Sequence, residues 1–285
     1  MPGSTPASAT PAESVRPLRP VLAVVLLLGA LIVLGPALEP NDPAAIGIAQ
    51  RLAPPSPSHP LGRDALGRCI LSRLMVGARW SLGLSLGISL LGLAVGTAVG
   101  VLAGLFEGRA GRAADAVAMR TTDVFLAFPE LVAAVTIAGV LGPGVGPLVI
   151  ALGTVGWMRH ARVARGLMLS VRTRDHVVQA RLSGLGAWGL IRWHYLPALA
   201  PSLLVVWSGA WARSVLAISG LGFLGFGMQP PTPEWGTMLL DGKAHLRAAP
   251  HLMLWPGLAI GLAVLSINLA GDRLRDALTA TDAAR

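Results

Sequence analysis

Charge is scarce in this chain. Only 13% of its 285 residues are Asp, Glu, Lys or Arg, against about 25% in soluble domains. A buried core cannot account for such a deficit at this length, because a small domain keeps much of its surface in water. Lipid can. Lysine is nearly absent too, Lys243 being the single one among 23 basic residues. The lone cysteine, Cys69, excludes an intramolecular disulfide and a multi-cysteine metal site; it reads as a small apolar residue. No phosphate-binding loop is present, since the one Gly-Lys pair, Gly242-Lys243, is followed by Ala244. Neither His-Glu-x-x-His nor Gly-x-Ser-x-Gly occurs, and the six histidines, at 59, 160, 176, 194, 245 and 251, form no i, i+4 pair. An intramembrane enzyme is therefore not expected, and no cofactor or metal site is called for. The formal charge of +9 does not point to nucleic acid, because the arginines stand between apolar runs rather than on one polar face.

Long apolar runs are what the chain does have. Residues 1–20 are rich in Pro, Ser, Ala and Thr and read as a disordered tail. Val21–Leu38 is unbroken and apolar, with no small-residue cleavage site after it, and reads as a retained span rather than a signal peptide. A proline-rich hydrophilic segment follows over 39–60. Further spans are expected over Trp80–Phe106, Phe125–Leu141, Tyr195–Gly220 and Leu252–Ala270, with Gly271-Asp272 ending the last. The fourth span is expected around Leu148–Met158, completed by part of the Gly142–Pro147 turn. Six transmembrane helices result, in an all-α membrane protein.

In the second span Gly92, Gly96, Gly100 and Gly104 recur every four residues. That spacing lays a glycine stripe on one face, where another helix can approach closely. Orientation follows from basic residues in the connections. With the N-terminus inside, the inner segments hold 15 Arg and Lys and the outer ones 7, which favours both termini inside. Five arginines in 39–80 run against that trend. The spans carry almost no ionisable residue, so the ion relays of a self-contained secondary transporter are not visible. Arg213 is the exception and is the candidate pathway residue; the other reading is snorkelling toward the interface. His160, His176 and His194 fall on the arginine-rich inner side, where structural roles are expected, and His245 and His251 read as surface residues.

The polar stretch from Arg159 to His194 is too long for a plain turn. Arg172–Arg181 suits one short helix, Gly184-Leu185-Gly186 a break, and Ala187–His194 a second helix stopped by Pro197. Such an element suits docking of another protein. It resembles the cytoplasmic Glu-Ala-Ala loop of ATP-binding cassette (ABC) importer permeases. Val178, Gln179 and Ala180 stand at the Glu-Ala-Ala positions, followed by Arg181, the glycine Gly184, and Leu196-Pro197. The family carboxylate is thus replaced by Val178. Other stretches resemble the dipeptide, oligopeptide and nickel branch of these permeases: His59–Arg68, Leu71–Leu74, Phe223-Leu224-Gly225, Pro230–Gly236, and Pro256–Ala259 through Gly271–Asp276.

The resemblance implies the C-type subunit of a heterodimeric pair, with the type I importer fold, in a bacterial inner membrane. Its partners would be a second homologous permease, two ABC ATPases bound to the loops, and an extracytoplasmic binding protein. It implies a division into a tail, 1–20, a first helix and extracytoplasmic segment, 21–80, a permease domain, 81–276, with a coupling loop over 159–197, and a tail, 277–285. Nickel, free or chelated, is the favoured cargo. Ile218 and Ser219 stand where peptide members carry Glu-Ala, and Arg181-Leu182-Ser183-Gly184 resembles nickel members. Dipeptides or oligopeptides are the alternative, and a stand-alone transporter or channel is the alternative of another class.

Overall fold

The computed structural model describes residues 18–105 and 108–283, and their regular elements are all helical. The expected N-terminal tail lies outside these residues up to position 17, as do the last two residues of the C-terminal one. The α-helices are α1 (Leu18–Leu34), α2 (Ile70–Leu105), α3 (Gly108–Leu126), α4 (Glu130–Leu141), α5 (Val145–Gly156), α6 (Met158–Val171), α7 (Asp175–Leu182), α8 (Ala187–Leu190), α9 (Leu196–Phe223), α10 (Trp235–Lys243) and α11 (His251–Ala283).

Among the described residues four helical runs are long and apolar enough to cross a membrane: Pro20–Ala37, α2, Ala187–Phe223 and His251–Thr279. A fifth arises if the α3–α4 pair, bent by 87° at Ala127–Pro129, is one span. The expected straight third span is thus broken. Proline cannot donate a helical hydrogen bond, and it pushes the residue before it out of helical geometry. The fourth expected span, around Leu148–Met158, is not met by length and composition among the described residues. Its helix α5 has 12 residues, which rise about 18 Å against about 30 Å of hydrocarbon. The backbone stays helical through Trp157 into α6, but α6 brings in Arg159, Arg162 and Arg165.

Three further differences concern helix ends. α2 begins at Ile70, ten residues before the expected Trp80. Its first turns are amphipathic: Ile70, Arg73, Gly77, Ala78, Ser81, Leu82 and Ser85 are buried at intervals of three and four. Pro197 does not stop a helix. It lies just after a π-helical turn, Ile191–Tyr195, through which α8 continues directly into α9. α11 likewise runs past Gly271-Asp272 to Ala283.

The glycine stripe is where α2 and α6 meet. A Cβ built at Gly104 would lie 2.7 Å from Met168 Cγ, and one at Gly100 2.7 Å from Ala164 Cβ and 2.8 Å from Arg165 N. A Cβ at Gly96 would overlap the Trp157 carbonyl. On the other side α2 meets α9 through a row of serines. Trp211 Nε1 donates to Ser85 Oγ and Trp207 Nε1 to Ser89 Oγ, both at 3.1 Å. Buried indole N–H groups need such partners. Ser81 Oγ accepts from Trp235 N at 3.0 Å and donates to Glu234 Oε1 at 3.0 Å. Glu234 is fully buried and caps α10, accepting from Gly236 N and Thr237 N at 2.8 and 2.9 Å.

Three of the five arginines that oppose the orientation count, Arg63, Arg68 and Arg73, are held in place. Asp64 Oδ2 accepts from Arg68 Nε at 2.7 Å, and Arg68 and Arg73 both reach Asp241 at 3.5 Å. Arg63 Nη1 donates to Gly67 O at 2.9 Å. These contacts fasten the segment before α2 to α10. Meanwhile α1 turns Leu22, Leu26 and Val33 outward, an apolar surface suited to lipid tails.

Candidate coupling element and cavity

At the far end of α2 the chain builds a helix–turn–helix. α7 ends in a Schellman motif: Leu185 N donates to Ala180 O at 3.1 Å and Gly184 N to Arg181 O at 3.0 Å, with Gly184 at φ +84°. The glycine is therefore at the left-handed position the turn requires. Val177 is fully buried and anchors α7 in a core with Met168, Val171, Leu190, Tyr195 and Leu199. Arg181 Nη2 approaches Tyr195 Oη at 3.4 Å, and the rings of His176 and His194 stack at 5.9 Å. Ala180 packs partly against this core. Val178 and Gln179 face outward, as does Leu196. Among its exposed residues are three large apolar side chains: Leu182 is 82% exposed, Trp188 73% and Trp193 67%. Trp188 lines an apolar groove with Leu93 and Val101 of α2 and Leu203 of α9, and Arg192 lies over the ring of Trp193.

Arg213 sits on α9 in a different place, beside a cavity of about 240 Å³. The cavity lies at the α3–α4 break, closed by Phe128 and Glu130 on that side, by Ile88 and Ser89 of α2, and by α5, α6 and α9. Two guanidiniums, Arg159 and Arg213, and one carboxylate, Glu130, line it, and both Arg159 and Glu130 are within electrostatic reach of Arg213. His160 lines it as well, 1% exposed, with Nδ1 at 3.2 Å from the Gly156 carbonyl. A carbonyl only accepts, so Nδ1 carries the hydrogen and Nε2 is left unpartnered and buried. Sequence reasoning singled out Arg213 and passed over Arg159 and His160. The signal that could have found them is the 3–4 spacing of Trp157, His160, Ala161, Ala164 and Met168, which marks α6 as a buried helix rather than a solvated loop.

Two ion pairs tie α6 to α3: Arg165 to Asp115, and Arg162 to Asp123. Arg172 Nη1 donates to Gly104 O at 3.2 Å and closes the end of α2 onto α6. Ile218, where the peptide-type carboxylate was missed, is fully buried against Ala134, Ala138, Leu148 and Leu221. That position faces the interior of this subunit.

Residues 96–281 match the model of the family described as binding-protein-dependent transport system inner membrane component. The chain is 39% identical over 260 residues to the nickel transport system permease protein NikC of Escherichia coli strain K12, covering 91% of this chain and 92% of that one. It is 40% identical over 263 residues to the di/tripeptide transport system permease protein DppC of Pseudomonas aeruginosa strain UCBPP-PA14, covering 90% and 86%. The glutathione transport system permease protein GsiD of Pectobacterium atrosepticum is 39% identical over 224 residues, 79% of this chain and 73% of that one. The chain therefore belongs to the family of binding-protein-dependent transport system inner membrane components, in the nickel and peptide branch of ABC importer permeases, as a non-catalytic, multi-pass membrane subunit.

Proposed function

We propose that this chain forms half of the translocation pathway of an ATP-driven importer whose cargo is nickel. A second, homologous permease supplies the other half, an extracytoplasmic binding protein delivers the cargo, and two ABC ATPases dock on the element over 159–197. Both termini face the cytoplasm, with the chain crossing the membrane six times. The observation that carries the reading is a helix–turn–helix that leaves Leu182, Trp188 and Trp193 exposed, its second helix being continuous with a membrane span. Burying those side chains against a partner is favourable by about 25 cal/mol per Å² of apolar surface.

The continuity supplies the mechanism. Ala187–Phe223 is one helical run, so Trp188 and Arg213 are about 38 Å apart along it at 1.5 Å per residue. An ATPase that moves the docked element moves α9, and with it the wall of the Arg213 cavity. This is rigid-body transmission between two packed states. Nickel as cargo is supported by the Arg181-Leu182-Ser183-Gly184 run and by a nickel relative matched over nine-tenths of its length. The di/tripeptide relative, matched over a similar length, favours peptides as the second reading. The test is uptake by the complete complex in cells lacking other nickel and peptide importers. Radioactive nickel and a labelled dipeptide are each offered, with an ATPase-dead control. ATP-dependent nickel uptake is expected; dipeptide uptake without nickel uptake reverses the choice of cargo.

A further inference from the structure

We infer that the apolar groove between α2 and α9 seats one acyl chain of an anionic phospholipid, with Arg172 and Arg192 flanking the end at which the phosphate lies. The groove encloses about 580 Å³ and, apart from Thr97, is lined by apolar side chains. It runs along α2 from Leu93 to Leu102, a rise of about 14 Å. That is about half of a 30 Å hydrocarbon layer, the depth of one leaflet. Ala94, Ala98, Leu102 and Ala200 of its lining are exposed, so the groove opens sideways from two membrane spans, where a lipid tail fits and a charged cargo does not. Its lining shares no residue with the cavity beside Arg213. It lies instead on the side of α2 that meets α1. A Cβ built at Gly83 would lie 3.5 Å from Ile32 Cγ2 of α1, and Ala94, three helical turns further along that face, lines the groove. No residue of α1 lines it among the described residues, which leaves this stretch of the peripheral face to lipid.

The Trp188 end of the groove favours an anionic head-group. An exposed indole there suits the membrane surface, where tryptophan is enriched. Two arginines flank it. Arg172 Nη1 donates to the carbonyl of Gly104, two residues beyond Leu102. Arg192 follows Ile191 of the lining, its guanidinium over the Trp193 ring. Neither arginine pairs with a carboxylate among the described residues. Basic groups between spans at the membrane surface bind anionic head-groups, so tail and phosphate are both provided for at the spacing of one lipid. The seated chain wedges between α2 and the helical run that carries the coupling element into the membrane, and Trp188 marks where that run meets the surface.

The test places the complete importer, with its ATPases and binding protein, in proteoliposomes holding a trace of phosphatidylglycerol or phosphatidylcholine with a photoactivatable acyl chain. Adducts are mapped by mass spectrometry of the permease peptides. Phosphatidylglycerol is expected to label residues 93–102 and 188–204, and unlabelled phosphatidylglycerol, but not unlabelled phosphatidylcholine, to compete the label away. Ala98→Phe fills the groove with an apolar ring and is expected to abolish labelling of both segments while the complex still assembles in a pull-down. Ala200→Phe takes its place if it does not assemble, and the competition by the two head-groups in the unsubstituted complex decides independently of either. Arg192→Gln is expected to lower the preference for phosphatidylglycerol about fivefold, the worth of one basic side chain near an anionic lipid surface. Equal labelling by the two lipids, or labelling that persists in the assembled groove-filling variants, overturns the inference. So does an absence of adducts in both segments, the result expected if the second permease covers the groove. The importer reading survives each of these outcomes, because it is tested by uptake.

Discussion

Replacing Gly100 by alanine pits two effects of opposite sign against each other. Alanine is favoured over glycine within a helix by about 0.8–1.0 kcal/mol. Against this stands the space available. A Cβ at Gly100 would meet the Ala161 carbonyl, Ala164 Cβ at 2.7 Å and Arg165 N at 2.8 Å. Two of these atoms are backbone, and Ala164 has no rotamer to change, so α2 and α6 must move apart. Overpacking costs about 1–3 kcal/mol, and a contact this rigid belongs in the upper half of that range. The net effect is a loss of about 1–2 kcal/mol. Gly87 and Gly261, with nothing within 4 Å of a built Cβ, should instead show only the favourable term. At about 2–4 °C per kcal/mol for a chain of this size, Gly100→Ala should lower the thermal midpoint of the detergent-purified protein by roughly 2–8 °C. Gly87→Ala and Gly261→Ala should leave it unchanged or raise it. If Gly100→Ala melts no lower than the two controls, the close approach of α2 to α6 does not exist as described.

Gly184→Val forces a β-branched residue to φ near +84°, a conformation costing non-glycine residues about 1–2 kcal/mol; the subunit should still insert, while cargo-stimulated ATP hydrolysis by the reconstituted complex falls, and normal stimulation would remove Gly184 from the coupling element. Trp188→Ser together with Leu182→Ser should weaken capture of the ATPases in a pull-down without lowering the yield of the permease, and undiminished capture would place the docking surface elsewhere. In a Cys69→Ser background, an impermeant thiol reagent applied to intact cells should label Lys243→Cys and not Arg174→Cys; labelling at 174 reverses the orientation. Asp64→Ala should lower the thermal midpoint more than Asp241→Ala, because Asp64 is buried and pairs with Arg68 at 2.7 Å whereas the Asp241 side chain is 45% exposed and reaches its arginines only at 3.5 Å, and removing a partner from a buried arginine is costly.

The fold was legible wherever hydrophobicity sets the answer. α1, α2, α9 and α11 each contain a run that lipid alone makes comfortable, and the glycine stripe announced a close helix contact before its partner was known. Legibility failed at helix ends. Nothing in an apolar run says where a helix begins, and the start of α2 depends on Arg73 finding Asp64 and Asp241, the latter 168 residues away. It failed again at α6. An arginine-rich segment reads as solvated by composition, yet Arg162 and Arg165 spend their charge on Asp123 and Asp115 of α3, which frees the opposite face, Ala161, Ala164 and Met168, to fill the groove that the glycines leave.

The candidate site was half visible for the same reason. Arg213 stands alone in an apolar run, and a lone charge in a span is the most conspicuous signal a membrane sequence can carry. Arg159 and His160 line the same cavity but are hidden in one polar stretch that holds seven arginines. Which of those seven turns inward is a matter of helical phase, and the phase is fixed by the glycine stripe of another helix, α2. With Gly96 against Trp157 and His160, and Gly100 against Ala161 and Ala164, α6 has one rotation available, and that rotation brings Arg159 and His160 to the cavity while sending Arg162 to Asp123. A residue larger than glycine at 96 or 100 would change the identity of the cavity lining as well as the stability of the helix pair. The stripe thus belongs to the site, although none of its glycines touches the space a cargo would occupy.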